Sequence, residues 1–400
     1  MSNSWLECGD SAVVLKNMPT ASVDALVTDP PAGISFMGKD WDGHKGGRNK
    51  WIVWLAGILS ECRRVMKPGT YGWVWALPRT AHWTMTACED AGFAVRDVLV
   101  HVFGTGFPKS RSLLKPASEH WILIKAPGDL RELRIEENRI KGAPRLTGTK
   151  NQTVGGGQHG ILNKLNSTTN QAEYDANPPS GRWPANFALS HYDDCKPSGT
   201  RKVKTSDPRR ADGTVNADLG SQGIYGGGNT PQGLDKPRYC DADGTETVEA
   251  WQCVEGCPVK MLDEQSGHLH GAGAARSSIR ACDATGLFSL AGDGHRLGDS
   301  GTASRFFYVA KPSTRERSAG MPEGARNSHV TVKATALMQH LIHLIAAPGD
   351  LVLDPFTGSG TTGIAAVKER CRFVGIEHEV EHVEIAQQRI AFASAHVQSV

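Results

Sequence analysis

The segment LVLDPFTGSGTTG, residues 351–363, decides how this chain folds. LVLD is a short apolar run of the kind that fills a buried parallel strand. Gly358-Ser-Gly360-Thr-Thr-Gly363 then fits G-x-G-x-x-G, and IAAVKER continues as a helix. Glycines in such a turn permit tight bending and close approach of a ligand to backbone N–H groups. No Lys-Ser/Thr pair follows the last glycine, which excludes a phosphate-cradling P-loop. FVGIE reads as the next strand, and Glu377 at its end is spaced to hydrogen-bond a ribose diol. The pattern selects a dinucleotide or S-adenosylmethionine. A dinucleotide fold needs a second mononucleotide half downstream, yet fewer than 25 residues follow Glu377. The rest of the sheet must therefore come from the start of the chain.

The start supplies it. Residues 1–125 alternate apolar strands with helical stretches: ALVT, then a helix over 51–66 stopping at Lys67-Pro68-Gly69. TYGWVWAL reads as a strand, Thr80 to Ala91 as a helix capped by Gly92, and FAVRDVLVHVF as a strand. Strand, helix, strand, helix, strand predicts a parallel α/β sheet. After ALVT comes VTDPPAG, residues 27–33. Two prolines fix φ twice and forbid a helix, so Asp29 is held at the strand tip on a stiff loop. That is where open α/β sheets bind ligands. The plainer reading is an ordinary turn, since Asp and Pro are turn residues.

Composition narrows the class. The chain has 400 residues, 39% hydrophobic, with 45 Gly and 21 Pro, so one sizeable core with long loops is expected. A net charge of +2 places any nucleic-acid contact in local patches. The longest apolar run, WIVWLAGIL, is too short to span a bilayer, and no signal peptide is recognisable, so a soluble cytoplasmic protein without membrane contact is expected. Nine cysteines scattered over this length argue against a disulfide framework.

Three zones follow: a catalytic half over 1–125, a loop-rich insert over 126–318, and a cofactor half over 319–400. The insert contains GGGQHG and YGGGN, which read as flexible loops, but also GRWPANFAL, the Cys253–Leu262 stretch and SRFFYVA, which should be ordered. In the last zone VTVKATALMQHLIHLIAAPG reads as one long helix, and the chain closes on the amphipathic EHVEIAQQRIAFA. Ten Lys/Arg against five Asp/Glu between Lys109 and Lys150, and six against one between Lys196 and Arg210, can neutralise phosphates. Each run also fits a solvated face.

His191-x3-Cys195 and Cys253-x3-Cys257 form two ligand pairs about 60 residues apart. Three thiolates and an imidazole make a closed tetrahedral zinc site that would staple an insert lacking its own core. Cys240 is an alternative to His191, and free thiols are the plainer reading. Cys8, Cys62, Cys88 and Cys371 read as core residues.

DPFTGSGTTG near the end and DPP near the start resemble the DNA amino-methyltransferases, in the order of their beta class, phage or prophage type. WLECGDSAVVLKNMPTASVDALVTDPP is similar to the family's approach to the catalytic tetrapeptide. GTGFPKS with KPASEHWILIKAP, and SRFFYVAKPSTRERSAG with HVTVKATALM, are similar to later family segments. The resemblance implies a Rossmann-like, circularly permuted S-adenosylmethionine-dependent methyltransferase fold whose insert is a target-recognition region. It implies methyl transfer to the exocyclic amine of a base flipped out of double-stranded DNA. Adenine N6 is favoured over cytosine N4 because Asp heads the tetrapeptide. A role in restriction-modification, in a bacterial cell or a phage-infected host, and a monomer or homodimer are expected with it.

The resemblance also implies site residues. Asp29, with the carbonyl of Pro30 and the stiffening of Pro31, would bind the target amine. Asp10 would lie beside the cofactor's adenine and Glu377 on its ribose. Asp354, Pro355, Phe356, Thr357, Gly358, Ser359 and Gly360 would surround its methionine part. Lys333 and Leu337 would line that side from the long helix, although Lys333 also fits a solvated helix lysine. The family has an aromatic residue after the two prolines, where this chain has Ala32. Phe36 or Trp41 would stack on the base instead. HVTVKA also departs from the family at two positions where prolines are usual. Ala32 favours, as alternatives, a catalytically impaired DNA-binding relative; methylation of RNA or a protein glutamine is a further one.

Overall fold

The computed structural model describes residues 4–35, 42–103, 114–129, 131–140, 182–204, 245–267, 269–270, 300–310, 315–329 and 331–397. Phe36, Trp41 and Cys240, and the GGGQHG, YGGGN and GTGFPKS stretches, lie outside them.

Thirteen strands are present among the described residues: β1 (Ser4–Cys8), β2 (Ala25–Thr28), β3 (Tyr71–Ala76), β4 (Ala94–Val102), β5 (Ser118–Lys125), β6 (Phe187–Ser190), β7 (Lys196–Lys204), β8 (Thr245–Gln252), β9 (Leu269–His270), β10 (Ser300–Gly301), β11 (Tyr308–Ala310), β12 (Leu351–Asp354) and β13 (Arg372–Glu377). The helices are α1 (Ser11–Val14), α2 (Arg48–Val65), α3 (Ala81–Asp90), α4 (Pro258–Ser266), α5 (Thr335–Ile345), α6 (Thr361–Lys368) and α7 (Val380–Val397). Nine strands form one sheet in the order β1-β13-β12-β2-β3-β5-β4-β6-β11. Its seam is the parallel pairing of β12 with β2, which joins the end of the chain to its beginning.

Side chains alternate across this sheet, as the pleat dictates. Leu26, Val74, Ile122, Ile124, Leu353 and Val374 face α2 and α3, packing on Trp51, Leu55 and Leu59. Val27, Trp73, Trp121, Val352 and Phe373 face the opposite layer and pack on Leu341, Ala365 and Ile390 of α5, α6 and α7. Both faces are covered, which is why the central strands are apolar almost throughout.

Four expectations change. The parallel run β2-β3-β4 is interrupted by β5, which lies antiparallel between β3 and β4. Two strands from within 126–318, β6 and β11, extend the same sheet in parallel beyond β4. The long helix begins at Thr335, with Ala334 still extended, so Lys333 is on the extended lead-in and not on the helix. Cys62, Cys88 and Cys371 are buried, but Cys8 is exposed, because it ends an edge strand with one neighbour.

The glycine motif also packs. A Cβ on Gly363 would lie 2.4 Å from Ile390 Cδ1 and 2.7 Å from the Phe373 ring, so α6 reaches the sheet only because this position is bare. Gly363→Ala gains about 1 kcal/mol of helix propensity but overpacks by more, so a net loss of about 1–2 kcal/mol is expected. Urea denaturation followed by circular dichroism measures it; a stabilised variant would contradict this packing.

Candidate active site

A cleft of about 1230 Å³ opens at the ends of β2, β12 and β13, lined by Asp29, Trp75, Lys333, Asp354, Gly358 and Glu377. Asp10, Pro30, Pro31, Pro355, Phe356, Thr357 and Ser359 also line it. The structure thus brings the DPP loop and the glycine loop to one hollow. Their strand ends are hydrogen-bonded neighbours: Thr28 Oγ1 donates to Asp354 Oδ1 at 2.8 Å.

Asp354 shapes the glycine loop. It accepts from Thr362 Oγ1 at 2.6 Å and from the Phe356 amide at 3.0 Å. Burial pushes its carboxyl up to about 7, and those donors only partly offset that. Gly358 and Gly360 have φ of +54° and +83°, which a side chain disfavours. A Cβ on Gly358 would meet His329 Nε2 at 2.7 Å. From below, the buried Arg389 of α7 donates to the Ser359 carbonyl and to its Oγ. Burial pulls that guanidinium down to about 10.

Glu377 sits across the loop. Its Oε2 accepts from the Gly358 amide at 2.8 Å and its Oε1 from the Glu379 amide at 3.0 Å. Burial alone would raise this carboxyl, but hydrogen bonding from His382, Glu379 and Gly358 outweighs it and holds it low. An ionised carboxylate with lone pairs remaining can accept from a diol. Asp10 caps α1 through the Ala12 amide at 2.8 Å and borders the same end of the cleft.

Asp29 does not stand alone. Lys333 Nζ lies 2.9 Å from Asp29 Oδ2, 3.5 Å from Glu119 Oε2 and 4.0 Å from the Trp75 ring centre. Burial would lower this ammonium; the two carboxylates overcome that and raise it. Burial raises Asp29 to about 6 even though Lys333 pulls the other way. Glu119 is different. Burial would raise it, but Lys333, His101 and the Trp75 indole together hold it far below the usual carboxylate range. Its Oε1 accepts from His101 Nδ1 at 2.8 Å and its Oε2 from Trp75 Nε1 at 2.6 Å. His101 Nε2 in turn meets Ser190 Oγ at 2.7 Å.

Lys333 is therefore a buried partner of Asp29 and not a solvated lysine. Leu337 is packed in the core, and its neighbour Met338 reaches the cleft instead. Glu119, His101, Ser190 and Trp75 were missed by sequence reasoning. A signal existed for one of them: Glu119 is a carboxylate on the otherwise apolar run EHWILI, which needs a partner when buried. His191, Cys195, Cys253 and Cys257 converge elsewhere, with ligand atoms all within 4.8 Å of one another.

A family model described as DNA methylase, covering N6 and N4 methyltransferases, matches residues 23–388. A DNA adenine methyltransferase of Escherichia coli K12, YhdJ, is 42% identical over 67 residues, 17% of this chain and 23% of its own length. The type II methyltransferase M2.DpnII of Streptococcus pneumoniae is 44% identical over 62 residues, 16% of this chain and 23% of its own length. The chain thus aligns with about a quarter of the length of these curated relatives. Among solved structures, PvuII DNA methyltransferase, cytosine-N4-specific, aligns at 12% identity over 100% of this chain and 94% of its own, with a TM-score of 0.44.

Removing Glu119 should reveal the cost of this cluster. Glu119→Ala leaves Lys333 with one carboxylate and strips His101 and Trp75 of their acceptor, a loss of about 3–5 kcal/mol. Glu119→Gln, which keeps an acceptor oxygen, should lose less. Urea midpoints at constant m-value decide this, and an unchanged midpoint for Glu119→Ala would refute the paired arrangement.

Proposed function

Because the chain belongs to the DNA methylase family, whose model spans residues 23–388, we propose that it methylates the exocyclic amine of a base flipped from double-stranded DNA, with S-adenosylmethionine as donor and adenine N6 as target. One observation carries the reading: Asp29, at the tip of β2, opens into the cleft that the glycine loop and Glu377 also line. The donor's positive charge suits the end of the hollow bordered by Asp10 and Glu377, whose carboxylate is held low by its hydrogen bonds. Glu377 fits a ribose diol, and the bare backbone of Gly358 and Gly360 fits close approach of a ligand. When bound, the cofactor supplies an activated sulfonium methyl.

The chain's own residues do the rest. An exocyclic amine is a poor nucleophile because its lone pair is delocalised into the ring. Asp29 accepts one N–H hydrogen bond and the Pro30 carbonyl a second, which localises the lone pair on nitrogen. As the N–CH3 bond forms and the S–CH3 bond breaks, the amine becomes cationic and gives up a proton, for which Asp29 is placed as acceptor. Pro30 and Pro31 keep that carboxylate from swinging away. Trp75, beside Asp29 through Lys333, offers the apolar wall that Ala32 does not. Adenine is favoured because Asp heads the tetrapeptide and YhdJ bears the name of an adenine methyltransferase.

Tritiated cofactor with duplex DNA, followed by nucleoside mass spectrometry, tests the activity and its target together. N6-methyladenine is expected; N4-methylcytosine would overturn the base assignment, and DNA binding without transfer would overturn the catalytic one. Asp29→Ala should cost about 10²–10⁴ in rate while DNA binding persists.

The pH dependence has a fixed sign. Asp29 must be ionised to accept, and burial pushes its carboxyl up to about 6, so kcat/KM for transfer should fall as pH drops through that value. Lys333 favours the ionised form, so Lys333→Met should move the acid limb of the kcat/KM profile to higher pH. A limb that stays in place, or moves down, would contradict the pairing.

A further inference from the structure

We infer that His191, Cys195, Cys253 and Cys257 bind one zinc ion, which clamps the β7–β8 hairpin and α4 onto the carboxyl end of β6 in the catalytic sheet. His191 follows the last residue of β6, Cys195 precedes β7, Cys253 follows β8, and Cys257 is the N-cap of α4. Four elements therefore end at one point.

The geometry is that of a single tetrahedral ion. Bonds of about 2.3 Å to sulfur and 2.0–2.1 Å to nitrogen imply ligand–ligand edges of about 3.5–3.8 Å. Cys253 Sγ lies 3.3 Å and Cys257 Sγ 3.5 Å from His191 Nδ1, and all four ligand atoms fall within 4.8 Å of one another. That spread is too small for an iron–sulfur cluster, and three thiolates with one imidazole match structural zinc. Four protein ligands leave no open position, so the ion would not be catalytic.

The surroundings are built for it. Trp251 stacks on His191 with ring centres 4.2 Å apart, which fixes the imidazole plane. The turn Cys253-Val-Glu-Gly-Cys257 closes through Gly256 at φ +75°, and the Tyr192–Cys195 turn closes through a 3.0 Å backbone hydrogen bond. Cys257 meets the positive end of α4, where a thiolate is favoured. Among the described residues the local core has four buried hydrophobics, Leu189, Val259, Cys195 and Cys257, with partly buried neighbours such as Phe187, Leu262 and Phe307 around them. Two of the four are proposed ligands, so apolar burial alone is a weak fastening and the metal supplies what is missing.

The clamp bears on the active site by position. His191 is bonded in sequence to Ser190, whose hydroxyl meets His101, the partner of Glu119. Fixing His191 fixes the outer end of the hydrogen-bonded chain that ends at Asp29.

The test uses the full-length chain purified in metal-free buffer. Elemental analysis should find about one zinc per chain. Cobalt(II) added in place of zinc should give the intense absorption of a tetrahedral thiolate site. Cys253→Ser and Cys257→Ser should lose affinity by at least the about 10–100-fold seen when a mere supporting partner is removed. His191→Cys should keep the metal and strengthen the sulfur-to-cobalt band. Should the serine variants fail to fold, the wild-type zinc content and cobalt spectrum decide alone. Wild-type chain without metal, with Cys195, Cys253 and Cys257 titrating as free thiols or joined in a disulfide, would overturn the site, whatever its methyl-transfer activity.

Discussion

Everything in the cleft depends on one buried contact, the 2.9 Å approach of Lys333 Nζ to Asp29. Taking a carboxylate and an ammonium out of water costs several kcal/mol each, and a single pair seldom recovers it. Here the ammonium also meets Glu119 and the face of Trp75, so it keeps three favourable contacts after losing its water. Glu119 is in turn held by His101 and two indoles. The surplus is one carboxylate, and the surroundings place it on Asp29, whose burial is the least compensated. That is the group the proposed chemistry needs as an acceptor.

The contact is possible only because of the seam in the sheet. Between β12 and β2 the strand order departs in opposite directions: β13 and β1 lie on one side, β3 and the later strands on the other. At such a point the connecting segments diverge and leave a crevice beyond the carboxyl ends. Asp29 and Asp354 stand on its two lips, tied through Thr28. The opposite end of the seam is fixed by Asp24, which accepts from the Leu351 amide at 3.0 Å. Strands β2 and β12 are held together by ladder hydrogen bonds and by side chains at both ends.

What could be read from the sequence was local. The glycine loop, the stiffened Asp29 and the strand ending in Glu377 each carry their signal within a few residues, and each chemistry follows from that residue order. What could not be read depends on pairing at a distance. β5 lies between β3 and β4 because the chain returns antiparallel, and nothing in EHWILIK encodes its neighbours. VTVKATALMQHLIHLI reads as one helix, yet the helix starts at Thr335, after the β-branched VTV, and Lys333 on the extended lead-in reaches Asp29. On that helix Met338 borders the cleft while Leu337 is turned into the core. The two Cys/His pairs were legible, and so was their use in one site; what spacing did not show is that β6, the β7–β8 hairpin and α4 are the elements that bring them together.

Two carboxylates competing for one ammonium give this site a particular sensitivity. Lys333 is 2.9 Å from Asp29 and 3.5 Å from Glu119, so it is shared unequally. How strongly Glu119 draws it is set by how well His101 and Trp75 already satisfy Glu119. If His101 turns away, Glu119 becomes the hungrier acceptor, the ammonium moves toward it, and Asp29 loses the charge that favours its ionised form. His101 is kept in place by Ser190, the last residue of β6, whose strand runs directly into His191. The ionisation of Asp29 is thus tied, through four named side chains, to the end of β6, where the insert is fastened.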